Sequence, residues 1–147
     1  MNIYFACSIT GGREFEAVYQ QLAAALLADG HSVPTAHLAD PGVVQLEAVV
    51  PAGEVYERDV AWIRAADALI AEVSVPSHGV GYEVAYALQA GKRVLCLAQA
   101  GRKVSKMITG NPDRNLDMRL YRDDREAVAL ARGFIAQLTE TGTAVEG

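Results

Sequence analysis

Short apolar runs alternate along the chain with longer segments in which apolar residues recur every three or four positions. The short runs predict β-strands, at about residues 2–8, 32–37, 68–73, 93–98 and 118–121. The longer segments have the period of an amphipathic α-helix and span about residues 14–29, 54–66, 80–91 and 124–139. Strands that alternate with helices are typical of an α/β fold with a parallel sheet.

The runs at 68–73 and 93–98 are almost wholly apolar, as expected for parallel strands covered on both faces. We therefore predict an open, doubly wound, five-stranded parallel sheet of the Rossmann-like or flavodoxin-like kind, in the order 2-1-3-4-5, with helices on both faces. In that order the sheet reverses between its first and third strands. Ligands bind in such sheets beyond the carboxyl ends of the strands that flank the reversal.

The helical periods also predict which side chains face the core. In the first helix these are Phe15, Val18, Tyr19, Leu22 and Leu26, with Gly30 just beyond the C-cap. In the second and last helices they are Tyr56, Val60, Ile63, Ala127, Leu130, Phe134 and Leu138. Residues 38–53 have two prolines, two glycines and no period. They predict a long surface excursion, a type of segment that often carries function.

The 147 residues are enough for one domain, which we place at residues 1–140, with a disordered tail at 141–147. A net charge of -5 argues against a nucleic-acid partner. The chain has no apolar run of membrane-spanning length and no signal-peptide pattern at its start, so we expect a cytoplasmic protein without a membrane partner. Cys7 and Cys96 fall in predicted strands, and neither they nor the three scattered histidines have metal-ligand spacing. We expect free thiols, no metal and no cofactor.

Two glycine-containing loops converge on the predicted crevice. Residues 8–13 (SITGGR) follow the first strand, and residues 74–81 (SVPSHGVG) follow the third. Backbone amides in such a turn, together with a helix N-terminus, bind anions such as phosphate. The first loop matches neither the dinucleotide-binding fingerprint nor the P-loop, so on its own it is equally a tight turn that requires glycine.

Glu83 falls in the first turn of the helix that we predict after the second loop. The helix dipole favours an ionised carboxylate there. We therefore expect Glu83 to be charged at neutral pH and suited to nucleophilic attack. The alternative is a carboxylate that only stabilises the helix start, although Val80, three residues earlier, is not a capping-box residue.

Asp59 is a second candidate, because it lies three residues after Tyr56 and four before Ile63 and so projects from the core face of its helix. A buried carboxylate needs a partner or a function. The alternative is an ion pair with Arg58 or Arg64. We give it less weight, on the argument that residues one position apart or on opposite faces do not meet on a helix.

Aromatic residues complete the set of candidates. The phenol of Tyr4, in the first strand, needs a hydrogen-bond partner if it is buried. His37 follows the second strand and faces either the crevice or the surface. We interpret His78 and Trp62 as structural.

Together these residues resemble the 2'-deoxynucleoside 5'-phosphate N-hydrolases, relatives of the nucleoside 2-deoxyribosyltransferases. The resemblance extends from Tyr4 to about Phe134. It is carried by Tyr4, Phe5, Ser8, Ile9, residues 11–14 (GGRE), His37, Asp59, Trp62, residues 66–67 (AD), 71–73 (AEV), 76–77 (PS), 79–83 (GVGYE), 101–102 (GR), Ser105, Met107 and Ile108.

This resemblance implies a role for each matched residue. Glu83 would attack the anomeric carbon, Asp59 would assist departure of the base, and Tyr4 would position Glu83. The substrate and its 5'-phosphate would contact the two loops through Ser8, Ile9, Thr10, Gly11, Gly12, Arg13, Ser77 and Gly79. His37 would lie close to the nucleobase. The family forms dimers, so Ser105 and Met107 would reach the site of the neighbouring subunit.

One position departs from the family pattern, since Thr10 stands where the family usually has an arginine that faces the phosphate. Loss of a bidentate guanidinium weakens phosphate selectivity unless Arg13 compensates. The expected activity is hydrolysis of the N-glycosidic bond of 2'-deoxynucleoside 5'-monophosphates through a covalent glycosyl–Glu83 intermediate. The alternatives are a nucleoside 2-deoxyribosyltransferase, which exchanges bases, and a non-catalytic nucleotide-binding module.

Overall fold

Four parallel strands form one sheet in the computed structural model, which describes residues 1–10 and 12–143. In spatial order they are β1 (Ile3–Ala6), β2 (Ala68–Glu72), β3 (Arg93–Gln99) and β4 (Leu116–Tyr121). The register places Tyr4 opposite Leu69, and Leu69 opposite Val94. Because all four strands run in the same direction, their carboxyl ends meet at one edge of the sheet.

Helices cover both faces of this sheet, which confirms the predicted α/β architecture. In chain order they are α1 (Glu16–Ala28), a 3-10 helix (Ala36–Ala39), α2 (Val43–Ala48), α3 (Ala52–Ala65), α4 (His78–Gln89), α5 (Lys106–Thr109) and α6 (Asp124–Thr143). The buried residues of α1 and α6 pack on one face, and those of α3 and α4 pack on the other. None of the helices in the described ranges is both long and apolar enough to cross a membrane.

Alternation along β1 assigns its side chains to the two cores. Ile3 and Phe5 point to the α1 and α6 side, whereas Tyr4 and Ala6 point to the α3 and α4 side. All four side chains are buried. Tyr4 therefore shares a face of the sheet with α4, the helix that carries Glu83.

The strand predicted at residues 32–37, which would be the second along the chain, is absent from the sheet. The sheet of the described residues has four strands, so the prediction of five is wrong. Ser32 makes a single parallel bridge with Asn2, so the segment does lie beside β1 as the predicted order requires. Pro34 has no backbone N–H and cannot extend a ladder. Instead the Thr35 hydroxyl accepts the backbone N–H of Phe5 at 3.0 Å, and the chain turns into the 3-10 helix.

Most of the predicted core residues are buried. All five predicted residues of α1 are buried, as are Val60, Ile63, Ala127 and Phe134, while Leu130 and Leu138 are partly buried against the same core. Gly30 has a φ of +84°, as expected beyond a C-cap. Tyr56 is 53% exposed, so its predicted inward orientation is wrong.

Two boundary predictions also change. The surface excursion at residues 38–53 contains the end of the 3-10 helix, all of α2 and the start of α3. Helix α6 continues to Thr143, three residues into the predicted tail, and residues 144–147 lie outside the described residues.

Replacing Thr35 by Val tests the hydroxyl that accepts the backbone N–H of Phe5 in place of a neighbouring strand. The change leaves the buried N–H of Phe5 without its acceptor. We expect the free energy of unfolding to fall by about 1–3 kcal/mol, measured by urea denaturation. The control is Thr141→Val on the exposed side of α6, which should change the value by less than about 0.5 kcal/mol. Equal effects of the two changes would contradict this account of residues 32–37.

Candidate functional site

The candidate site lies where the carboxyl ends of β1 and β2 meet the start of α4. Helix α4 begins at His78, and the Ser77 hydroxyl caps it by accepting the backbone N–H of Val80 at 3.3 Å. The sequence predicts a start near Val80, two residues later than the structure shows. Glu83 is therefore in the second turn of α4, and the first turn has no acidic residue.

Burial, rather than the helix dipole, controls the charge of Glu83. Burial raises the pKa of Glu83 from an ordinary value of 4.5 to about 7. The Tyr4 phenol lowers this pKa as a hydrogen-bond donor, repulsion from Asp59 raises it, and Arg58 lowers it. The expectation of a fully ionised Glu83 at neutral pH is wrong, since both protonation states are populated near pH 7.

Tyr4 is a polar neighbour of Glu83 on the sheet, close enough to lower its pKa. Its phenol is fully buried, and its pKa is raised, first by burial and then by the Glu83 carboxylate, so the hydroxyl remains protonated and can donate. Among the described residues, neither Tyr4 Oη nor Glu83 Oε2 completes a hydrogen bond of good geometry. The hydrogen of a phenol hydroxyl rotates about the C–O bond. The closeness of Tyr4 to Glu83 therefore matters more than the present direction of that hydrogen.

Asp59 lies on α3, close enough to Glu83 and Tyr4 to influence both electrostatically. Its carboxylate Oδ1 accepts a hydrogen bond from Arg58 Nε at 2.8 Å. The expectation that neighbours one position apart do not meet is therefore wrong. The long arginine side chain folds back across Trp62, with Cζ 4.9 Å from the ring centroid, and this path brings Nε to Asp59.

Glu47 on α2 completes this group, and the sequence analysis misses it. Arg58 Nη1 and Nη2 donate to Glu47 Oε1 and Oε2, each at 3.1 Å, and His37 Nε2 lies 3.1 Å from Glu47 Oε1. His37 also contacts Trp62 edge to face, with ring centroids 6.1 Å apart. No local pattern singles out Glu47, because it lies in a segment without periodicity and meets Arg58 only in the folded chain.

The loop after β1 forms the other wall of the crevice. Ser8 is buried, Ile9 is partly buried and Thr10 is exposed, whereas Gly11 lies outside the described residues. Gly12 has a φ of +115°, a conformation that strongly favours glycine.

Arg13 braces this loop from within. Its guanidinium donates to the backbone carbonyls of Ser8, Leu38 and Asp40 at 3.3, 3.1 and 3.1 Å, and Nε pairs with Glu16 at 3.4 Å. These bonds occupy most of its donors. They give no support to the expectation that Arg13 replaces the arginine missing at Thr10.

Gly79 lies next to Glu83, and Ser77 lies at the start of the same helix. A Cβ atom added at Gly79 would be 3.6 Å from Glu83 Oε1, so this glycine lies directly against the carboxylate. Ser77 also lines a cavity of about 840 Å³ between α4 and residues 103–108. Glu83, Tyr4 and Asp59 are not among the residues that line that cavity.

Ser105 and Met107 line the same cavity, close to Ser77 of their own chain. Ser105 caps the short helix α5 by accepting the backbone N–H of Met107 at 3.2 Å. Met107 is 83% exposed, which is unusual for so apolar a side chain.

Comparison with known proteins finds relatives that cover most of the chain. The family model described as nucleoside 2-deoxyribosyltransferase matches residues 3–117. The 5-hydroxymethyl-dUMP N-hydrolase of Mus musculus is 40% identical over 148 residues, covering 97% of this chain and 84% of the relative.

Two solved structures share the fold. The Clostridium botulinum CMP N-glycosidase BcmB has a TM-score of 0.67 and 19% identity, covering 90% of this chain and 99% of that one. The 2-deoxyribosyltransferase of Bacillus psychrosaccharolyticus has a TM-score of 0.62 and 21% identity, covering 87% and 90%. From the extent of the family match and the identity to the mouse relative, the chain belongs to the nucleoside 2-deoxyribosyltransferase family.

Proposed function

We propose that this protein is an N-glycosidase that hydrolyses 2'-deoxynucleoside 5'-monophosphates to deoxyribose 5-phosphate and free base. One observation carries the proposal: the Glu83 carboxylate lies beside Tyr4 and Gly79, with its Oε2 atom buried, at the edge of the sheet where α4 begins. The mouse relative, named for hydrolysis of a deoxynucleotide, supports the substrate class. We also propose that the enzyme acts in the cytoplasm, where nucleotides are held.

In the proposed reaction Glu83 attacks C1' of the sugar, and the electron pair of the C1'–N bond leaves with the base. Asp59, in its protonated form, donates its proton to the departing base. Water then attacks C1' of the covalent glycosyl–Glu83 intermediate, Asp59 takes the proton of that water, and the bond between C1' and Glu83 breaks to release the carboxylate, as in retaining glycosidases. Tyr4 donates to the ionised form of Glu83 and so favours the reactive state.

The 5'-phosphate is assigned to the two loops. The hydroxyls of Ser8, Thr10 and Ser77 and the amides around Gly12 and Gly79 are the donors that we propose for it, with Gly11 retained as a prediction. The N-terminus of α4, capped by Ser77, adds a favourable dipole for an anion.

We further propose a homodimer in which Ser105 and Met107 of each copy reach the site of the other. The exposure of Met107 and the largely apolar lining of the neighbouring cavity support this arrangement.

Base release by the purified chain, and its loss in Glu83→Gln, test the proposal. We expect a 2'-deoxynucleoside 5'-monophosphate to yield free base and deoxyribose 5-phosphate, and the variant to lose at least roughly 1,000-fold in kcat, because Gln cannot form the intermediate. Chromatography of the products measures both. Glu54→Gln, at an exposed position in α3, should retain normal activity. Near-normal turnover by Glu83→Gln would refute the assignment of the nucleophile.

The family also contains deoxyribosyltransferases, so base exchange is the second candidate. Adding an acceptor base to the assay, with substrates that do and do not carry a 5'-phosphate, separates the two activities. Exchange on the unphosphorylated substrate would favour the transferase. Ligand binding by calorimetry without any base release would identify a non-catalytic module.

The pH dependence of kcat/KM should report the ionisation of Glu83. Attack needs the carboxylate, and the pKa of Glu83 is about 7, so kcat/KM should fall about tenfold per pH unit below that value. Tyr4→Phe removes a group that lowers this pKa and should move the acidic limb to higher pH. Tyr19→Phe, a buried tyrosine on the other face of the sheet, is the control and should leave the limb unchanged. An unmoved limb in Tyr4→Phe would argue against the proposed role of the phenol.

Asp59→Asn tests the group that assists the leaving base. Asparagine keeps an oxygen to accept from Arg58 Nε, so the fold should be preserved. We expect kcat to fall by roughly 100-fold or more, and further for bases that are poor leaving groups. Steady-state kinetics with bases of different leaving ability measure the effect. A change in thermal stability alone would identify Asp59 as structural.

A further inference from the structure

Glu47 faces into the molecule from the excursion that joins the 3-10 helix to α3. Its side chain is 13% exposed, whereas Leu46 beside it is 60% exposed. It is the common acceptor for His37 Nε2 and for both terminal nitrogens of Arg58. Through these bonds, a short surface helix is connected to the side of the crevice proposed for the nucleobase.

Arg58 links Glu47 to Asp59 in a fixed geometry. Two parallel bonds of 3.1 Å to Glu47 set the plane and direction of the guanidinium, and the Trp62 ring lies 4.9 Å from its Cζ atom. The third nitrogen, Nε, then donates to Asp59 Oδ1 at 2.8 Å. A planar fork held at two points leaves its remaining donor little freedom, so the position of the Asp59 carboxylate depends on Glu47.

The charges agree with this geometry. Burial alone would raise the pKa of Glu47, but the hydrogen bonds from Arg58 and His37 outweigh burial and hold the pKa below its usual range. Burial likewise acts to lower the pKa of Arg58, and its bonds to Glu47 and Asp59 raise it overall. The Glu47–Arg58 pair is therefore fully charged across the pH range in which an enzyme would operate.

We propose that Glu47 is a positioning residue for the reaction: through Arg58 it holds the Asp59 carboxylate at the angle from which Asp59 assists the leaving base. This inference rests on the proposed function, since it takes Asp59 to be catalytic. Glu47 itself does not contact the reacting atoms. In a purely structural role, Glu47 would only fasten the excursion to α3. That role predicts that a change at Glu47 lowers kcat equally whether residue 59 is Asp or Asn.

A double-mutant cycle separates the two roles. Glu47→Gln keeps the shape of the side chain but removes the charge and one of the two acceptors for Arg58. In an otherwise unchanged chain we expect kcat to fall roughly 10- to 100-fold, and more for poor leaving groups, with KM for the deoxynucleotide little changed. In the Asp59→Asn background the same change should lower kcat by less than about twofold, because the group that Glu47 positions is already disabled.

Matched variants keep the test decisive. Glu126→Gln breaks a comparable pair, since Glu126 accepts two hydrogen bonds from Arg122 at 2.9 and 3.0 Å, and it should leave kcat unchanged. Arg58→Lys keeps the positive charge but cannot bond both carboxylates in the same way. If Glu47→Gln does not fold, Arg58→Lys should show the same loss and the same lack of additivity.

The outcomes distinguish this inference from the proposed function. Equal losses from Glu47→Gln in both backgrounds, or no loss at all, would overturn the positioning role while leaving Asp59 as a catalytic residue. Normal kcat in Asp59→Asn alone would overturn the catalytic assignment of Asp59, and the positioning role with it.

Discussion

The burial of one carboxylate under the edge of the sheet is the constraint on which this structure depends. Below about pH 4.5 Glu83 is protonated in both the folded and the unfolded chain, and its burial costs little. Between about pH 4.5 and 7 the unfolded chain ionises Glu83 while the folded chain keeps it protonated, so stability falls across that range by roughly 3 kcal/mol in total and no further above it. The remaining core, with its two packed faces, must supply that stability. A carboxylate kept in so unfavourable a place is characteristic of a functional group rather than a structural one.

Glu72 shows what a structural buried carboxylate looks like in the same protein. It is fully buried at the end of β2, and burial raises its pKa as it does for Glu83. Its Oε1, however, accepts hydrogen bonds from the Ser74 amide at 3.1 Å, from Tyr121 at 3.2 Å and from the Ser74 hydroxyl. These bonds join β2 to β4 and shape the start of the loop that leads to Ser77. Glu83 has one phenol nearby instead of three completed bonds, so its charge remains available for chemistry.

Local pattern was sufficient to predict the parallel sheet with helices on both faces, because apolar runs and helical periods are properties of neighbouring residues. It failed where a distant contact decides the structure. Strand formation at residues 32–37 is prevented by Pro34 and by the bond from the Phe5 amide to Thr35, which is a tertiary contact. Helix α4 begins at His78, two residues before the predicted start, where the Ser77 hydroxyl caps it.

The hydrogen bonds of Arg58 could not be predicted from the sequence for a related reason. The rule that helix neighbours do not meet holds for short side chains, but an arginine stacked on Trp62 can turn back to the adjacent Asp59. Glu47 could not be predicted at all, because α2 has no periodic pattern and the fold alone brings it to Arg58.

The distribution of charge around the crevice favours a cationic transition state. Three carboxylates, Glu47, Asp59 and Glu83, share a single guanidinium on the side assigned to the sugar and base. On the side proposed for the phosphate, Arg13 is held by backbone carbonyls, and the other proposed donors are neutral hydroxyls and amides. In the proposed reaction positive charge develops on the sugar ring, between Glu83 and Asp59. The Glu83 carboxylate, and the Asp59 carboxylate once its proton has passed to the base, stabilise that charge without reorganising. The site is thus organised around the sugar cation more than around the phosphate, which accords with the threonine at position 10.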